Sequence, residues 1–355
     1  SLGMTVTDEE REDALRNQVT KLCKEIDLDQ STALKFLNLL LNESVKVQSD
    51  GKQTHLSVFL KAKELEEQGK KIIHLEVGEP DFKPPKEVKT ALAEVYDEGY
   101  GKYGSPKGIM ELRTAIGIGI EGHDEGIEDS IMICPGARFA VYLAITTLLN
   151  PGDEIIVIEP SWPAYKDCAL NAGIKVRTIK TTLETKWEPS IEQINNAINQ
   201  NTKMIILNSP NNPTGKVLPK KLLDDIIQTA KDHDLYVLSD EIYSEYANND
   251  WKSVLIYNYE KSIVTKSFSK SHAMTGYRIG WVVAEPSIIE KMSKLQALSL
   301  TNVSEPIQYV ALQALKANTS ENTRIIKSRL DALVKTAKDI GLEFIEPDGA
   351  MYLFA

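Results

Sequence analysis

From about residue 131, short runs of β-branched and apolar residues alternate with stretches of helical periodicity. Seven runs fit buried strands: Ile131–Cys134, Glu154–Ile158, Ile174–Ile179, Lys203–Leu207, Leu235–Ser239, Ser262–Lys266 and Ile279–Ala284. Strands that alternate with helices in this way form mainly parallel sheets with helices on both faces. The pattern therefore predicts an α/β fold with a seven-stranded, mainly parallel, doubly wound sheet.

The two ends of the chain differ from this central pattern. Residues 4–47 carry two helical stripes and no strand candidate, which predicts a helical hairpin. After about residue 286 the pattern is mostly helical, and Leu342–Phe354 predicts strands of a second, smaller α+β domain. We expect an N-terminal helical extension at residues 1–50, a small domain from 51–85 with 320–355, and a large domain at 86–319.

Composition and charge narrow the class of protein. The chain of 355 residues is 42% hydrophobic and 26% charged, values typical of a globular protein. Its formal net charge of −10 repels phosphate backbones, so we expect no nucleic-acid partner. Cys23, Cys134 and Cys168 are spaced for neither disulfides nor zinc, which favours a reducing cytoplasm. Neither a membrane-spanning run nor a histidine spacing for metal ligands is present, so we expect neither membrane nor metal binding.

Residues that follow the predicted strands are the candidates for chemistry, because such sheets bind ligands at the carboxyl ends of their strands. Lys270 follows the strand that ends at Lys266, and a partly desolvated lysine there can form a Schiff base with an aldehyde cofactor. Asp240 follows the neighbouring predicted strand and can hold the protonated ring nitrogen of pyridoxal 5'-phosphate (PLP). Singly, the lysine fits a solvated loop and the aspartate a helix N-cap. Together they favour a PLP site.

Three further strand ends carry candidate cofactor contacts. Two prolines and a glycine make the turn around Asn212 rigid, so its amide can bind a ligand oxygen. Gly136, Ala137 and Arg138 begin the helix after the first strand, where free N–H groups suit a phosphate. Trp162 follows the second strand and can stack on an aromatic ring. An ordinary turn, a helix start and a core indole would also explain these features one by one.

Together these motifs resemble the aspartate aminotransferase family of fold type I PLP enzymes. The resemblance runs from about Thr54 to Ala355, and residues 4–47 lie outside it. The matching motifs are Gly78-Glu-Pro-Asp-Phe82, Tyr103-Gly-x-x-x-Gly108-x-x-x-Leu-Arg113, Asn211-Asn-Pro-Thr-Gly215, Ser239-Asp-Glu-Ile-Tyr243, Ser267-Phe-Ser-Lys270 and Arg278. Several motifs in the same order and at the family's spacing are a specific signal, whereas each alone is weak.

The resemblance implies a role for each matching residue. Lys270 would bind PLP covalently and move the proton between the substrate and the cofactor, while Asp240 would hold the ring nitrogen's proton. Gly78 would approach the substrate carboxylate, and Trp162 would stack on the cofactor ring. Other implied cofactor contacts are Asn212 and Tyr243 on the phenolic oxygen, and Gly136, Ala137, Ser267, Arg278 and Tyr103 of the partner subunit on the phosphate.

The implied function is that of a PLP-dependent aminotransferase that moves an amino group from an amino acid, aspartate preferred, to a 2-oxo acid, 2-oxoglutarate preferred. It would work by a ping-pong mechanism as a cytoplasmic homodimer with shared active sites. Arg138 directly follows Gly136 and Ala137, so its guanidinium would suit the distal carboxylate of such a substrate. Arg138 would equally well point to solvent or pair with an acidic neighbour.

Other functions fit the same motifs. An aminotransferase for alanine or aromatic amino acids, or a PLP-dependent C–S lyase, would share the cofactor residues, because substrate pockets depend on few residues. An alternative of another class is a ligand-sensing regulatory module with an aminotransferase-like domain behind a DNA-binding headpiece. The segment up to Asp50 carries ten acidic against six basic residues, which argues against such a headpiece.

Two features depart from the family's pattern. The family normally continues beyond Gly349-Ala-Met-Tyr-Leu-Phe354 to an arginine that binds the substrate α-carboxylate through two hydrogen bonds. We therefore expect the small domain to be incomplete here and the natural polypeptide to extend past Ala355. His272 and Met351 occupy positions where an aromatic residue is usual, and we expect both to be tolerated.

Overall fold

The structure, a computed structural model, describes residues 20–21, 55–74, 77–120, 126–248 and 250–355. The chain divides into two compact units, residues 1–77 and 78–355. In the first unit the structure describes helix α1 (His55–Glu67), whose exposed face carries the ion pairs Lys61–Glu64 and Lys63–Glu66. The helical hairpin predicted at residues 4–47 lies outside the described residues, apart from the helical pair 20–21. The domain boundaries expected from the sequence stay a prediction.

The second unit is built on one seven-stranded sheet. Its strands are β1 (Ile131–Cys134), β2 (Glu154–Glu159), β3 (Lys175–Lys180), β4 (Thr202–Asn208), β5 (Tyr236–Asp240), β6 (Ser262–Ser267) and β7 (Gly280–Ala284). Their order is β1-β7-β6-β5-β4-β2-β3, with β7 antiparallel to both of its neighbours and the other pairs parallel. The predicted seven-stranded, mainly parallel sheet is confirmed, with each strand end within one residue of its expected position.

Helices cover both faces of the sheet. Those of the second unit are α2 (Lys86–Asp97), α3 (Met110–Ile118), α4 (Ala137–Leu148), α5 (Ala164–Asn171), α6 (Ile191–Ala197), α7 (Lys220–Asp232), α8 (Phe268–Ser271), α9 (Pro286–Leu300), α10 (Glu305–Ala314) and α11 (Ser320–Asp339). Short 3₁₀ helices lie at Ile127–Ser130, Ser244–Tyr246, Val254–Tyr257 and Thr275–Tyr277. None of the helices within the described ranges combines the length and the apolar character needed to cross a membrane.

Side-chain alternation along the strands divides the core into two layers. Val237 and Val264 point to the face covered by α2, α3, α6, α7 and α10. Their chain neighbours Leu238 and Ile263 point to the opposite face, covered by α4, α5 and α9. Because successive residues of a strand point to opposite faces, each strand contributes to both layers. The sheet is therefore doubly wound, as the sequence predicts.

Helix α7 shows how the sequence selects a helix at these positions. Its buried residues, Leu223, Ile226, Ile227 and Ala230, recur at the spacing of one helical face. The exposed face carries ion pairs between residues four apart, which support a helix by a few tenths of a kcal/mol each, about 0.2–0.5. Periodicity and local pairing therefore agree with the packing against the sheet.

The prediction of strands over Leu342–Phe354 is wrong. The segment consists of turns, bends and residues without regular secondary structure. A strand needs a ladder of hydrogen bonds to a neighbouring strand, but this segment bonds to loops instead. The N–H groups of Asp348 and Gly349 each donate to Gly215 O at 3.0 Å, and Asn248 N–H donates to Asp348 O at 3.0 Å. The apolar pattern of the segment reflects packing on these loops.

Candidate active site

The carboxyl ends of β5 and β6 bring Asp240 and Lys270 to one edge of the sheet. Asp240 is the last residue of β5 and lies beside Thr265 of β6. Ser267, the last residue of β6, caps α8 by accepting a hydrogen bond from Ser269 N–H at 3.0 Å. This turn begins α8 and directs Lys270 to the same edge as Asp240.

The side chain of Lys270 is partly buried, and its Nζ donates to Gly78 O at 2.5 Å. Burial lowers the pKa of Lys270 to about 8; Arg278 and Arg138 act in the same direction, whereas Glu79 and Asp240 oppose it. A lysine with this pKa is about one-tenth neutral at pH 7, compared with less than about one-thousandth for an ordinary lysine. Because the neutral amine is the nucleophile in Schiff-base formation, the site activates Lys270.

Asp240 is buried, with 2% of its surface exposed. Tyr165 OH donates to Asp240 Oδ2 at 2.7 Å, and Ile242 N–H donates to Oδ1 at 3.3 Å. Burial raises the pKa of Asp240, while these hydrogen bonds and the charge of Lys270 oppose the rise. The carboxyl group is thus held in one orientation and keeps lone pairs for a further donor.

Tyr165 was not predicted as a site residue. It lies in the first turn of α5, three residues after Trp162, and the two rings meet edge to face with centroids 5.3 Å apart. The position of Tyr165 in the first turn of α5, three residues after Trp162, was the available signal. The partner of its hydroxyl group, Asp240, lies 75 residues further along the chain.

The N-terminus of α4 forms a cradle rich in donors. Gly136 caps α4 with φ 85°, and a Cβ atom there would lie 2.5 Å from a guanidinium nitrogen of Arg278. A Cβ atom at Gly280 would similarly come within 3.1 Å of Ala137 N. The first N–H groups of a helix have no acceptor within it, and the helix dipole adds positive charge. The cradle therefore suits a small anion such as a phosphate.

Arg278 and Ser267 border this cradle. The Arg278 guanidinium donates to Thr275 O at 2.7 Å and to Pro135 O at 3.3 Å, which fixes it beside the start of α4. Ser267 is buried, and its Oγ lies 2.8 Å from Ser269 Oγ. The structure thus places these two predicted phosphate contacts beside the predicted backbone contacts.

The guanidinium group of Arg138 lies over the ring of Trp162, with its Cζ 4.6 Å from the ring centroid. Arg138 is exposed, and among the described residues it takes part in no ion pair. Its positive charge also helps to lower the pKa of Lys270. The side chain therefore lies near the reactive lysine with its hydrogen-bond donors available.

Asn212 and Tyr243 converge on a phenolic oxygen. The hydroxyl groups of Tyr243 and Tyr352 are 2.5 Å apart, and Asn212 Nδ2 donates to Tyr352 OH at 3.4 Å. Asn208 holds the turn in place, because its Oδ1 accepts from Asn212 N–H at 2.7 Å and its Nδ2 donates to Asp240 O at 2.9 Å. Tyr352 was not predicted as a site residue, although the motif that contains it was noted.

Gly78 and Tyr103 differ in their positions. Gly78 lies against Tyr352 so closely that a Cβ atom at Gly78 would overlap the tyrosine ring. Tyr103 lies on the surface with 90% of its area exposed, in a segment anchored to the start of α10. The anchor is Glu305, whose carboxylate accepts from the N–H groups of Gly101 and Lys102 at 2.8 Å each.

The structure gathers the other predicted site residues at one edge of the sheet. They are Gly78, Gly136, Ala137, Arg138, Trp162, Asn212, Asp240, Tyr243, Ser267, Lys270 and Arg278. Within the described ranges, no group of three or more His, Cys, Asp or Glu residues could hold a metal ion. The chemistry of this edge rests on an activated lysine, a buried carboxyl group and an anion cradle.

Comparisons with known proteins agree with this arrangement. The family model for aminotransferase class I and II matches residues 70–355. An aspartate aminotransferase of Thermotoga maritima is 35% identical over 299 residues, which are 83% of this chain and 79% of the relative. An aromatic-amino-acid aminotransferase of Thermococcus litoralis is 33% identical over 295 residues, 80% of this chain and 76% of the relative.

A solved structure shares the fold. The aspartate aminotransferase of Thermus thermophilus with maleate has a TM-score of 0.80 and 32% sequence identity, and the match covers 86% of this chain and 82% of that chain. Fold, strand-end residues and sequence relatives therefore agree. The chain belongs to the class I and II aminotransferases, which are PLP-dependent enzymes of fold type I.

Proposed function

We propose that this aminotransferase prefers aspartate as amino donor and 2-oxoglutarate as acceptor. The observation that carries the proposal is Arg138, whose exposed guanidinium lies over Trp162 without an ion pair among the described residues. A planar guanidinium binds a carboxylate through two parallel hydrogen bonds. Since Arg138 also acts on the charge of Lys270, a substrate at Lys270 would present its distal carboxylate within reach of this group.

The residues at this edge fit PLP. PLP supplies an aldehyde that bonds to amines and a protonated ring that accepts an electron pair. The cradle at Gly136 has the backbone donors, helix end and Arg278 guanidinium that a phosphate dianion requires. The buried Asp240 would hold the proton on the ring nitrogen, and its hydrogen bond from Tyr165 would keep the carboxyl group oriented.

Asn212 and Tyr243 would bind the phenolic oxygen of PLP. Both residues bond to the phenolic oxygen of Tyr352. This supports the role, because PLP carries a phenolic oxygen of the same kind. Trp162 would stack on the cofactor ring, and Gly78 would bring its backbone to the substrate carboxylate. Each of these residues orients the cofactor or the substrate.

Lys270 would carry the cofactor until the substrate amine displaces its Nζ from the aldehyde carbon, and the freed amine would then move protons. Its Nζ, whose pKa is lowered to about 8, is neutral often enough to take the proton from the substrate Cα atom. The resulting ammonium would then return the proton to the cofactor carbon. Repetition with a 2-oxo acid in the reverse direction completes the exchange of the amino group.

Exposed apolar residues support a homodimer. In the single chain Tyr103, Leu298 and Tyr96 are 90%, 87% and 84% exposed. Tyrosine and other large apolar side chains are enriched in the cores of protein interfaces. Tyr103 of the partner subunit would reach the phosphate cradle, so each active site would be shared. The free thiols of Cys134 and Cys168 agree with a cytoplasmic location.

Subunit mixing tests the shared site. Lys270→Ala is expected to be inactive as a homodimer, and Tyr103→Ala, which removes the contact from the partner subunit, is expected to lose most of its activity. In mixed dimers, one of the two sites would combine the intact Lys270 and Arg278 of the Tyr103→Ala subunit with the intact Tyr103 of the Lys270→Ala subunit. We therefore expect partial recovery of transamination once native mass spectrometry shows subunit exchange. Exchange without any recovery would contradict sharing.

Substitution of Arg138 tests the dicarboxylate preference. Loss of a charged hydrogen bond of about 1.5–3 kcal/mol lowers kcat/KM by roughly 10- to 150-fold. Arg138→Met should lower kcat/KM by this factor with aspartate and glutamate and leave kcat/KM with alanine nearly unchanged. Cofactor absorbance during titration with each amino acid, followed by steady-state kinetics, gives the measurement.

Arg324→Met is the matched control for this test. Arg324 is an exposed arginine of α11 paired with Glu321, so its loss should change kcat/KM by no more than about twofold for any substrate. If Arg138→Met lowers aspartate and alanine turnover equally, Arg138 serves the cofactor or the fold. A wild-type preference for alanine, for aromatic amino acids or for C–S cleavage would replace the proposed substrates.

A further inference from the structure

A cavity of about 490 Å³ lies at the carboxyl ends of β5 and β6, and its lining includes Ser267 of the phosphate cradle. Asp240 and Ser267 are active-site residues, and their chain neighbours Glu241 and Lys266 line the cavity. The alternation of side chains explains this, because Glu241 continues the ladder through its N–H bond to Thr265 O at 3.0 Å. The volume is within the roughly 300–1,000 Å³ of small-molecule sites.

Glu241 presents a buried carboxylate oxygen to this cavity. The residue is 1% exposed, and its Oε1 accepts hydrogen bonds from Ser239 Oγ at 3.1 Å, Ser253 Oγ at 3.0 Å and Val254 N–H at 3.0 Å. Its Oε2 is buried without a hydrogen-bond partner. Buried polar atoms are nearly always paired, so this unpaired oxygen is a candidate acceptor for a ligand in the cavity that the residue lines.

Lys266 supplies the opposite charge. Its Nζ lies 5.3 Å from the centroid of the Trp251 ring. Among the described residues it forms no ion pair with Glu241 or with any other acidic side chain. An acidic and a basic side chain therefore border one cavity without contacting each other. A ligand that carries an ammonium and a carboxylate would satisfy both.

The remaining lining defines the other half of the ligand. Glu245 and Lys252 are exposed residues at the rim, so the acidic and basic residues around the cavity are equal in number. Burial raises the pKa of Glu241, and the charge of Lys266 opposes the rise. Burial lowers the pKa of His272 to about 4, which leaves it neutral at pH 7. Trp281 and Leu315 provide apolar surface. The complementary ligand has no net charge, two opposite charges and an apolar part.

We propose that this cavity binds a free α-amino acid with an apolar side chain. The ammonium group donates to Glu241 Oε2, the carboxylate accepts from Lys266 Nζ, and the side chain packs on Trp251 and Trp281. The charged residues of this cavity, Glu241 and Lys266, differ from those of the site of transamination, and Ser267 borders both sites. Binding in the cavity does not depend on the preference for aspartate.

Calorimetric titration of the holoenzyme with L-phenylalanine and L-leucine tests the proposal. Borohydride reduction of the cofactor Schiff base beforehand prevents the added amino acids from exchanging onto PLP. We expect one molecule to bind per chain. The analogues 3-phenylpropionate, which lacks the ammonium, and phenethylamine, which lacks the carboxylate, should each bind at least about tenfold more weakly than phenylalanine.

Two variants locate the binding. Glu241→Gln keeps the acceptor at Oε1, and Lys266→Met keeps the side-chain length, so each should retain the fold and the cofactor absorbance. Each should weaken phenylalanine binding by about 10- to 100-fold. Lys252→Met, which replaces an exposed lysine at the rim, should change the affinity for phenylalanine by less than about twofold. Absence of binding by both amino acids, or binding equal to wild type in both variants, overturns the proposal.

Discussion

Lys270→Ala is expected to abolish covalent cofactor binding and nearly all transamination. Lys270 is the described lysine that combines burial, a pKa lowered to about 8 and a position beside Asp240. Loss of its proton transfer alone costs about 10²- to 10⁴-fold. Borohydride reduction of the wild type, followed by peptide mapping, should place the label on Lys270.

Lys266 is the internal control for this mapping, because it lies four residues earlier in the same segment and faces the other side of the sheet. Label on Lys266 or on any other lysine would refute the assignment. Unreduced Lys270→Ala protein should lack the absorbance of a Schiff base after incubation with PLP.

The lowered pKa of Lys270 adds a pH dependence to this result. The amine must be neutral to attack the aldehyde, and its neutral fraction rises with pH up to the pKa. Burial lowers that pKa to about 8, so recombination of cofactor-free enzyme with PLP should accelerate up to about pH 8 and then level off. A rate that continues to rise towards pH 10.5 would indicate an unperturbed lysine.

Asp240→Ala is expected to lose far more activity than Asn212→Ala. Asp240 supplies a charge-assisted hydrogen bond worth about 1.5–3 kcal/mol, or roughly 10- to 150-fold, and it also keeps the cofactor ring protonated. Asn212 supplies one neutral hydrogen bond worth about 0.5–1.5 kcal/mol, or roughly 2- to 13-fold. The measurement is kcat/KM with PLP saturating.

Asp240→Asn separates charge from shape in this comparison. The amide fits the space of the carboxyl group and can still bond to Tyr165, but it carries no charge. We expect its activity to be close to that of Asp240→Ala. Equal losses in Asp240→Ala and Asn212→Ala would show that Asp240 does not serve the ring nitrogen.

The seven strands and the residues at their ends could be read from the sequence for a physical reason. A strand that is buried on both faces is apolar throughout, so it stands out as a short run such as Ile131–Cys134. The neighbouring parallel strands β5 and β6 end at the same edge of the sheet, so Lys270 and Asp240 had to lie near each other. The segment Leu342–Phe354 lacked this constraint, because its hydrogen bonds depend on loops far away in the chain.

The sequence by itself determined the fold class, the cofactor chemistry and most residues of the active-site edge. It did so because local periodicity and strand-end position depend on neighbouring residues. Only the tertiary structure decided that Tyr165 holds Asp240, that Arg138 lies on Trp162, and that Glu241 and Lys266 share a cavity. The Tyr165–Asp240 bond joins residues 75 positions apart. Contacts of this kind depend on how the elements pack, and packing leaves no pattern in the local sequence.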